Sequence, residues 1–350
     1  MAPTYDLADK VFRELVLLAS THLRHRVITI KESERRLVLR NLGGGVTEIR
    51  GKTADNPVSL LGEGLDFLIV DEAARLKPSI WEGHLSQRLI DKKGWALLIS
   101  TPRGKGWFFE LFQRGKRGER GHASWNSPSW LNPHLDGALI EAQRGLLPER
   151  VFRQEYGAEF LEGSGQVFRY VRECAGGAIR AREEGRTYFA GLDLAKVADY
   201  TVLVVMDDRW RVVYVDRFHR LDWSLQVQRI SAGLARYGGA PVWVDTTGMG
   251  EPVYEALCRA DCAAYPYPFT ARSKAALVDH LSLMLEQRQI ELLGATVCPE
   301  MIDELEAFEY SVTDAGSVRM SAPAGVHDDC VMALALAVWG ARRARDELVW

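Results

Sequence analysis

The chain has 350 residues, 47% hydrophobic and 26% charged, with a formal net charge of −3 at neutral pH. That apolar share excludes a disordered chain, the charge excludes a uniformly basic nucleic-acid coat, and the length suits two domains. No run approaches the ~20 apolar residues of a membrane-spanning helix, and the start MAPTYDLADK lacks a signal peptide's apolar stretch. The five cysteines (Cys174, Cys258, Cys262, Cys298, Cys330) are scattered without an accompanying histidine cluster, so reduced thiols are expected.

RRLVLR (35–40) and VTEIR (46–50) flank Gly43-Gly44-Gly45 and predict a hairpin. FLIV (67–70) and ALLIS (96–100) are continuous apolar runs of the kind found in parallel strands buried on both faces, with a crossover helix expected over 80–93. The first run ends in Asp71-Glu72 and the second in Thr101-Pro102. Residues 101–120 hold six cations (Arg103, Lys105, Arg114, Lys116, Arg117, Arg120) against Glu110 and Glu119, beside Trp107 and Phe108. They suit either phosphate contacts or a solvated loop with an aromatic anchor. Residues 138–162 read as helical, with Pro148 opening a second helix. The glycine-rich and charged stretches EGSGQ (162–166), AGG (175–177) and RAREEGR (180–186) then predict a domain boundary.

A different pattern begins at Thr187. YFAGLDL (188–194), TVLVVMD (201–207) and WRVVYVDRF (210–218) predict an antiparallel meander. Helix 224–236, strand 241–245, helix 251–259, a strand near 264–267, helix 273–288 and a last helix over 328–345 follow. Acidic residues stand at the element ends. Asp193 sits in an apolar strand, Asp245 ends the fourth strand, and Asp328-Asp329 open the last helix. A carboxylate after a buried strand emerges at the end of a sheet, where α/β proteins place ligands. Several such groups together suit hard divalent cations, and a pair of ions suits phosphodiester hydrolysis. Helix capping by Asp328 or Asp329 and a turn role for Asp245 are the competing structural readings, whereas Asp193 among core side chains demands a partner. Because adjacent residues at a helix start point about 100° apart, Asp328 and Asp329 are expected to divide ligation and capping between them.

The stretches GLDLAKVADYTVLVV (191–205), VWVDTTGMGEPVYEAL (242–257), HDDCVMALALA (327–337) and FRQEYGAEFLEGSGQVF (152–168) together resemble the large subunit of tailed-phage DNA-packaging terminases. The resemblance extends to FLIVDEAARL (67–76), similar to a Walker B strand, and ISTPRGKGWFFELF (99–112), similar to that family's coupling motif. It implies an α/β chain: a partial P-loop-type parallel-sheet ATPase domain (1–162), a linker (163–186) and a ribonuclease-H-like nuclease domain (187–350). Asp193, Asp245, Asp328 and Asp329 would then be catalytic and bind two Mg²⁺ or Mn²⁺ ions. Asp71 would hold the Mg²⁺ of ATP, Glu72 would polarise water, and Ser100-Thr101 would sense the nucleotide. Asp199 would support the nuclease site, with Lys196 and Arg272-Ser273-Lys274 flanking it. Double-stranded DNA contacts are expected from Arg103, Lys105, Arg114, Lys116 and Arg117. The implied partners are concatemeric phage DNA, a small terminase subunit and a portal ring, with possible self-association, in the cytoplasm of the bacterial host. GGGVTEIRGKT (43–53) departs from the pattern: five residues separate Gly45 from Gly51 where a P-loop has four, so the phosphate cradle is expected upstream of Met1 and ATP turnover is doubtful for this chain alone. A transposase or resolvase of similar fold, and an inactive prophage remnant that only binds DNA, are the alternatives.

Overall fold

The computed structural model describes the chain apart from residues 55–61, 63, 163, 195–199, 248–249, 313–317, 324 and 348–350. Two compact units are present, the first formed by 1–132, 154–162 and 312–317 and the second by the remainder.

In the first unit, α1 (Tyr5–His22) buries Phe12 and Ala19 against Leu37 of an antiparallel sheet. That sheet comprises β1 (Val27–Lys31), β2 (Arg36–Arg40) and β3 (Val46–Arg50), the last two forming the expected hairpin. β4 (Phe67–Val70) and β5 (Trp95–Leu98) pair in parallel, with Val70 opposite Leu98. The connection between them is not the continuous helix expected over 80–93. It runs through α2 (Pro78–Ile80), a wide π turn over Trp81–Leu85 and a tight 3-10 turn over Ser86–Leu89. Gly83 inside this run weakens a regular helix, and the return to β5 passes so close to its neighbour that a Cβ on Gly94 would lie 2.1 Å from the Leu65 carbonyl. α3 (Trp107–Lys116) follows, and the Trp107 indole donates to the Leu76 carbonyl at 2.9 Å.

The helical stretch expected over 138–162 divides into α4 (Gly137–Arg144) and α5 (Glu149–Glu155), after which Gly157 and the left-handed Ala158 carry an extended chain. Residues 163–186 are not a free linker. β6 (Ser164–Gln166), α6 (Val171–Cys174) and β7 (Ala175–Gly177) are built into the second unit, where Val167, Phe168, Val171 and Cys174 enter its core. These apolar side chains lie between the glycine-rich stretches and anchor them.

The centre of the second unit is a five-stranded sheet. β8 (Tyr188–Asp193), β9 (Thr201–Asp207) and β10 (Val212–Phe218) form the meander; α7 (Trp223–Ala235) leads to β11 (Val242–Asp245), and α8 (Gly250–Arg259) to β12 (Ala264–Tyr267). The order is β10-β9-β8-β11-β12, with β11 parallel to both neighbours. α9 (Ala271–Glu286), β13 (Leu292–Leu293), α10 (Pro299–Ala307), β14 (Glu309–Val312) and β15 (Val318–Ser321) precede the last helix, α11 (Asp329–Glu347). β13 pairs with β7, and β14 with β6 and β15.

Strand alternation divides the core between the two faces of this sheet. Tyr188, Ala190, Leu192, Leu203 and Val205 meet α7 and α8, while Phe189, Val202, Val204 and Met206 meet α9, α10 and α11. Helix α11 is apolar on every side from Cys330 to Val338, the pattern of a helix inside a core. It lies directly on β8 and β11. A Cβ on Gly191 would fall 2.0 Å from the Ala333 carbonyl, and one on Gly340 2.1 Å from the Trp243 ring. Gly191→Ala is therefore expected to destabilise the second unit by at least about 2 kcal/mol through overpacking. A fall of roughly 4–8 °C in its melting temperature, followed by near-ultraviolet circular dichroism, is the expected readout; an unchanged value would contradict the close approach.

Candidate functional site

The same alternation determines where the acidic side chains go. Residues 189, 191 and 193 share the β8 face that carries α11, and residues 243 and 245 share it on β11. Because Leu192 stands beside Val244, Asp193 and Asp245 end adjacent strands on the helix-bearing face. α11 begins at this end of the sheet, and brings Asp328 and Asp329.

Each carboxylate has its own support. Asp245 is 8% exposed and accepts from the Thr247 amide at 2.8 Å. The Thr247 hydroxyl in turn accepts from the Phe269 amide at 2.7 Å, tying the turn after β11 to the chain after β12. Asp329 is 6% exposed, and its Oδ2 accepts from the Tyr200 amide at 3.0 Å, with His327 Nδ1 at 3.6 Å. Asp328 Oδ2 accepts from Lys274 Nζ at 2.9 Å. A reciprocal cap between Thr270 and Ser273 fixes the first turn of α9, where Lys274 sits. Burial pushes the Asp193 carboxyl well above the usual carboxylate range; Asp329, then Asp245, then Asp328 push it further, and among the described residues Lys274 acts in the opposite sense. Asp193 thus senses the other three aspartates, with Asp329 its strongest neighbour.

Oxygen donors of this kind suit Mg²⁺ or Mn²⁺, and the mutual repulsion is of the kind a divalent cation relieves. Among the described residues, however, no group of three His, Cys, Asp or Glu side chains forms a ready-made ligand set. Lys274 neutralises part of the charge instead. The donor chemistry fits divalent cations, and the four carboxylates are the residues that would hold them.

At the start of α11 the Cys330 amide donates to Glu304 Oε2 at 2.7 Å. Glu304, on α10, is 4% exposed, and sequence reasoning missed it. The signal was present in PEMIDELEAF, where Met301, Glu304, Leu305 and Phe308 fall on one helical face and one of the four is charged. Arg217, on β10, approaches Glu304 Oε1 at 3.5 Å and was equally unmarked. Asp199 and Lys196 lie outside the described residues. Of Arg272-Ser273-Lys274, the lysine reaches the cluster and the serine completes the cap.

In the first unit, Asp71 and Glu72 follow β4, while Ser100 and Thr101 follow β5. Backbone bonds from Ile99 to Val70 (2.9 Å) and from Ala73 to Ile99 (3.0 Å) hold the two strand ends side by side. Glu72 adopts a left-handed backbone (φ 52°) and pairs with Arg75 at 3.2 Å. The Ser100 hydroxyl donates to the Thr101 carbonyl at 2.9 Å. Gly51-Lys52-Thr53 runs extended: the Lys52 carbonyl accepts from Ala2, and Ala2 bridges Thr53 in parallel, so this segment does not wrap an anion. The cations of 103–117 do not form one free surface. Arg114 and Arg117 both pair with Glu119, Lys105 pairs with Glu162 at 3.6 Å, and Lys116 lies over the Phe112 ring; Arg103 is half-buried. Trp107 and Phe108 pack into the core around β4, the anchoring alternative.

Residues 190–339 match the terminase ribonuclease-H-like domain model. The large terminase subunit of Thermus virus P23-45 is 34% identical, in an alignment covering 96% of this chain and 77% of that protein. The chain belongs to the terminase large subunit family. The large terminase of the thermophilic bacteriophage D6E shares the fold at a TM-score of 0.54 and 12% identity, covering 96% of this chain and 84% of that one. The magnesium-bound large terminase nuclease of thermophilic phage G20c is 30% identical over 50% of this chain and 96% of that one, at a TM-score of 0.46. Within the described residues, no helix is long and apolar enough to cross a membrane.

The electrostatics of this terminase predict a trade between stability and function. With its folded pKa raised, Asp193 binds its proton more tightly in the folded state. Stability of the metal-free protein therefore falls as pH rises from the ordinary carboxylate range through the folded value, and the full penalty acts above it. Asp193→Asn removes the penalty. In a chelator at neutral pH it should melt at a higher temperature than wild type, and the gain should shrink on acidification. Equal stability at neutral pH would contradict the crowding.

Proposed function

We propose that this terminase chain cuts concatemeric double-stranded phage DNA as a metal-dependent endonuclease during genome packaging. The observation that carries the reading is the convergence of Asp193, Asp245, Asp328 and Asp329 at one end of the ribonuclease-H-like sheet. Asp193, Asp245 and Asp329, with Asp328, would hold two Mg²⁺ or Mn²⁺ ions. Divalent cations at such a site supply an activated water and neutralise charge developing on the phosphodiester. The chain's own contribution is to orient the carboxylates. The Tyr200 amide fixes Asp329, the Thr247 amide fixes Asp245, and Lys274 keeps the excess negative charge from driving the helix start away.

The first unit would serve as part of an ATP-driven motor, with the phosphate cradle not among its residues. Asp71 would hold the Mg²⁺ of the nucleotide, Glu72 would polarise the attacking water, and Ser100-Thr101 would report on nucleotide state from the adjacent strand end. Lys105, Arg114, Lys116 and Arg117 would take DNA phosphates only by exchanging their present carboxylate and aromatic partners, and Arg103 by emerging from its half-buried position. A small terminase subunit, a portal ring and further copies of the chain are the expected partners, in the cytoplasm of the infected bacterium.

The test is a supercoiled-plasmid cleavage assay in Mg²⁺ or Mn²⁺. Wild type should cut, a chelator should stop it, and Asp193→Ala should abolish cutting while the circular dichroism spectrum is retained. Asp193→Ala cutting at the wild-type rate would overturn the reading. Because Asp329 acts on Asp193 more strongly than Asp328 does, Asp329→Asn should cut at least about tenfold more slowly than Asp328→Asn, or about 1.4 kcal/mol of barrier. Equal rates would place both residues in the same role. Lys52→Ala should leave any ATP turnover unchanged, since Lys52 sits in an extended ladder; a large loss would show that it reaches nucleotide.

A further inference from the structure

Asp329 is held from two directions by one closed circuit of side chains. On one side the Tyr200 amide donates to its carboxylate at 3.0 Å. On the other, the next residue along α11, Cys330, gives its amide to the buried Glu304 at 2.7 Å. Arg217 joins the two sides: its guanidinium faces Glu304 Oε1 at 3.5 Å and lies 3.4 Å from the centre of the Tyr200 ring. The four groups come from α10, β10, the start of β9 and α11, so the circuit spans the parts of the unit that meet at the carboxylates.

A carboxylate at position 304 is an odd choice for capping alone. It lies buried near the aspartates, where another negative charge is costly, and a glutamine would satisfy the Cys330 amide as well. A glutamine would not hold Arg217. Arg217 in turn covers the ring of the residue whose backbone orients Asp329. A guanidinium centred 3.4 Å from the middle of an aromatic ring and paired to a buried carboxylate has little freedom to move.

We propose that Glu304 is a positioning residue which, through Arg217 and Tyr200, fixes Asp329 in the orientation that receives a divalent cation. The inference rests on the metal-nuclease reading above. Groups that orient metal ligands commonly contribute 10–100-fold to metal affinity, so the effect is open to direct measurement.

The experiment is a Mn²⁺ titration of the full chain, followed by the electron paramagnetic resonance signal of free manganese, without DNA. Glu304→Gln keeps the size and the cap but loses the ion pair, and should weaken Mn²⁺ binding about tenfold. Removing a negative charge near a cation site would also weaken binding through space. Two controls separate the causes. Arg217→Lys keeps the charge and loses the guanidinium's contact with the Tyr200 ring, and should weaken binding severalfold. In an Asp329→Asn background the Glu304→Gln effect should vanish, because its route runs through Asp329. Wild-type affinity in both Glu304→Gln and Arg217→Lys overturns the proposal, as does a tenfold loss that persists in the Asp329→Asn background. Arg217→Lys decides the matter if Glu304→Gln fails to fold. Absence of Mn²⁺ binding by the wild-type chain would overturn the metal-nuclease reading and this inference together, whereas wild-type binding with indifferent variants overturns only the latter.

Discussion

Four carboxylates meet at one end of a sheet, and the repulsion among them is borne by the packing of everything behind them. Asp193 is the last residue of a strand whose other side chains are almost wholly buried, so it cannot swing away without disturbing the core. Asp329 is fixed in the same way by an apolar helix pressed onto that strand at Gly191. Interiors packed at this density do not yield by small amounts. The aspartates are thus kept close by the strand, the helix and the glycine between them, and a site unfavourable by itself persists in readiness for positive charge.

Cations of the chain itself meet part of that demand. Lys274 reaches Asp328, and Arg217 reaches Glu304, so positive groups from α9 and β10 flank the cluster. The two differ in character. Lys274 is a compact point charge on a long side chain, while Arg217 is held between a buried carboxylate and an aromatic ring. The first moderates the charge and the second fixes geometry.

Much of this was legible in the sequence because its signals are local. Apolar runs broken by an acid located β4, β8 and β11 to within a residue or two. Asp193, Asp245 and Asp328-Asp329 could be singled out because each interrupts an apolar element or stands at its end. Signals that depend on distant residues were hidden. Glu304 resembles any charged residue of an amphipathic helix until α11 is laid against it, and Arg217 resembles an outward strand residue until Tyr200 is beneath it. Residues 163–186 read as a linker because their glycines outweigh Val167, Phe168, Val171 and Cys174, which only tertiary packing turns into anchors. The run over 80–93 has helical composition, but Gly83 and the close approach of the chain at Gly94 override propensity there.

The central claim is that Asp193, Asp245, Asp328 and Asp329 form one divalent-cation site. Crystals of the chain soaked in Mn²⁺, with diffraction recorded at a wavelength where manganese scatters anomalously, test it most directly. The account predicts anomalous peaks at coordination distance from the carboxylate oxygens of Asp193, Asp245 and Asp329, and none when the same experiment is done on Asp193→Ala. Manganese bound only elsewhere on the chain, with the four aspartates still facing Lys274 and one another, would contradict it.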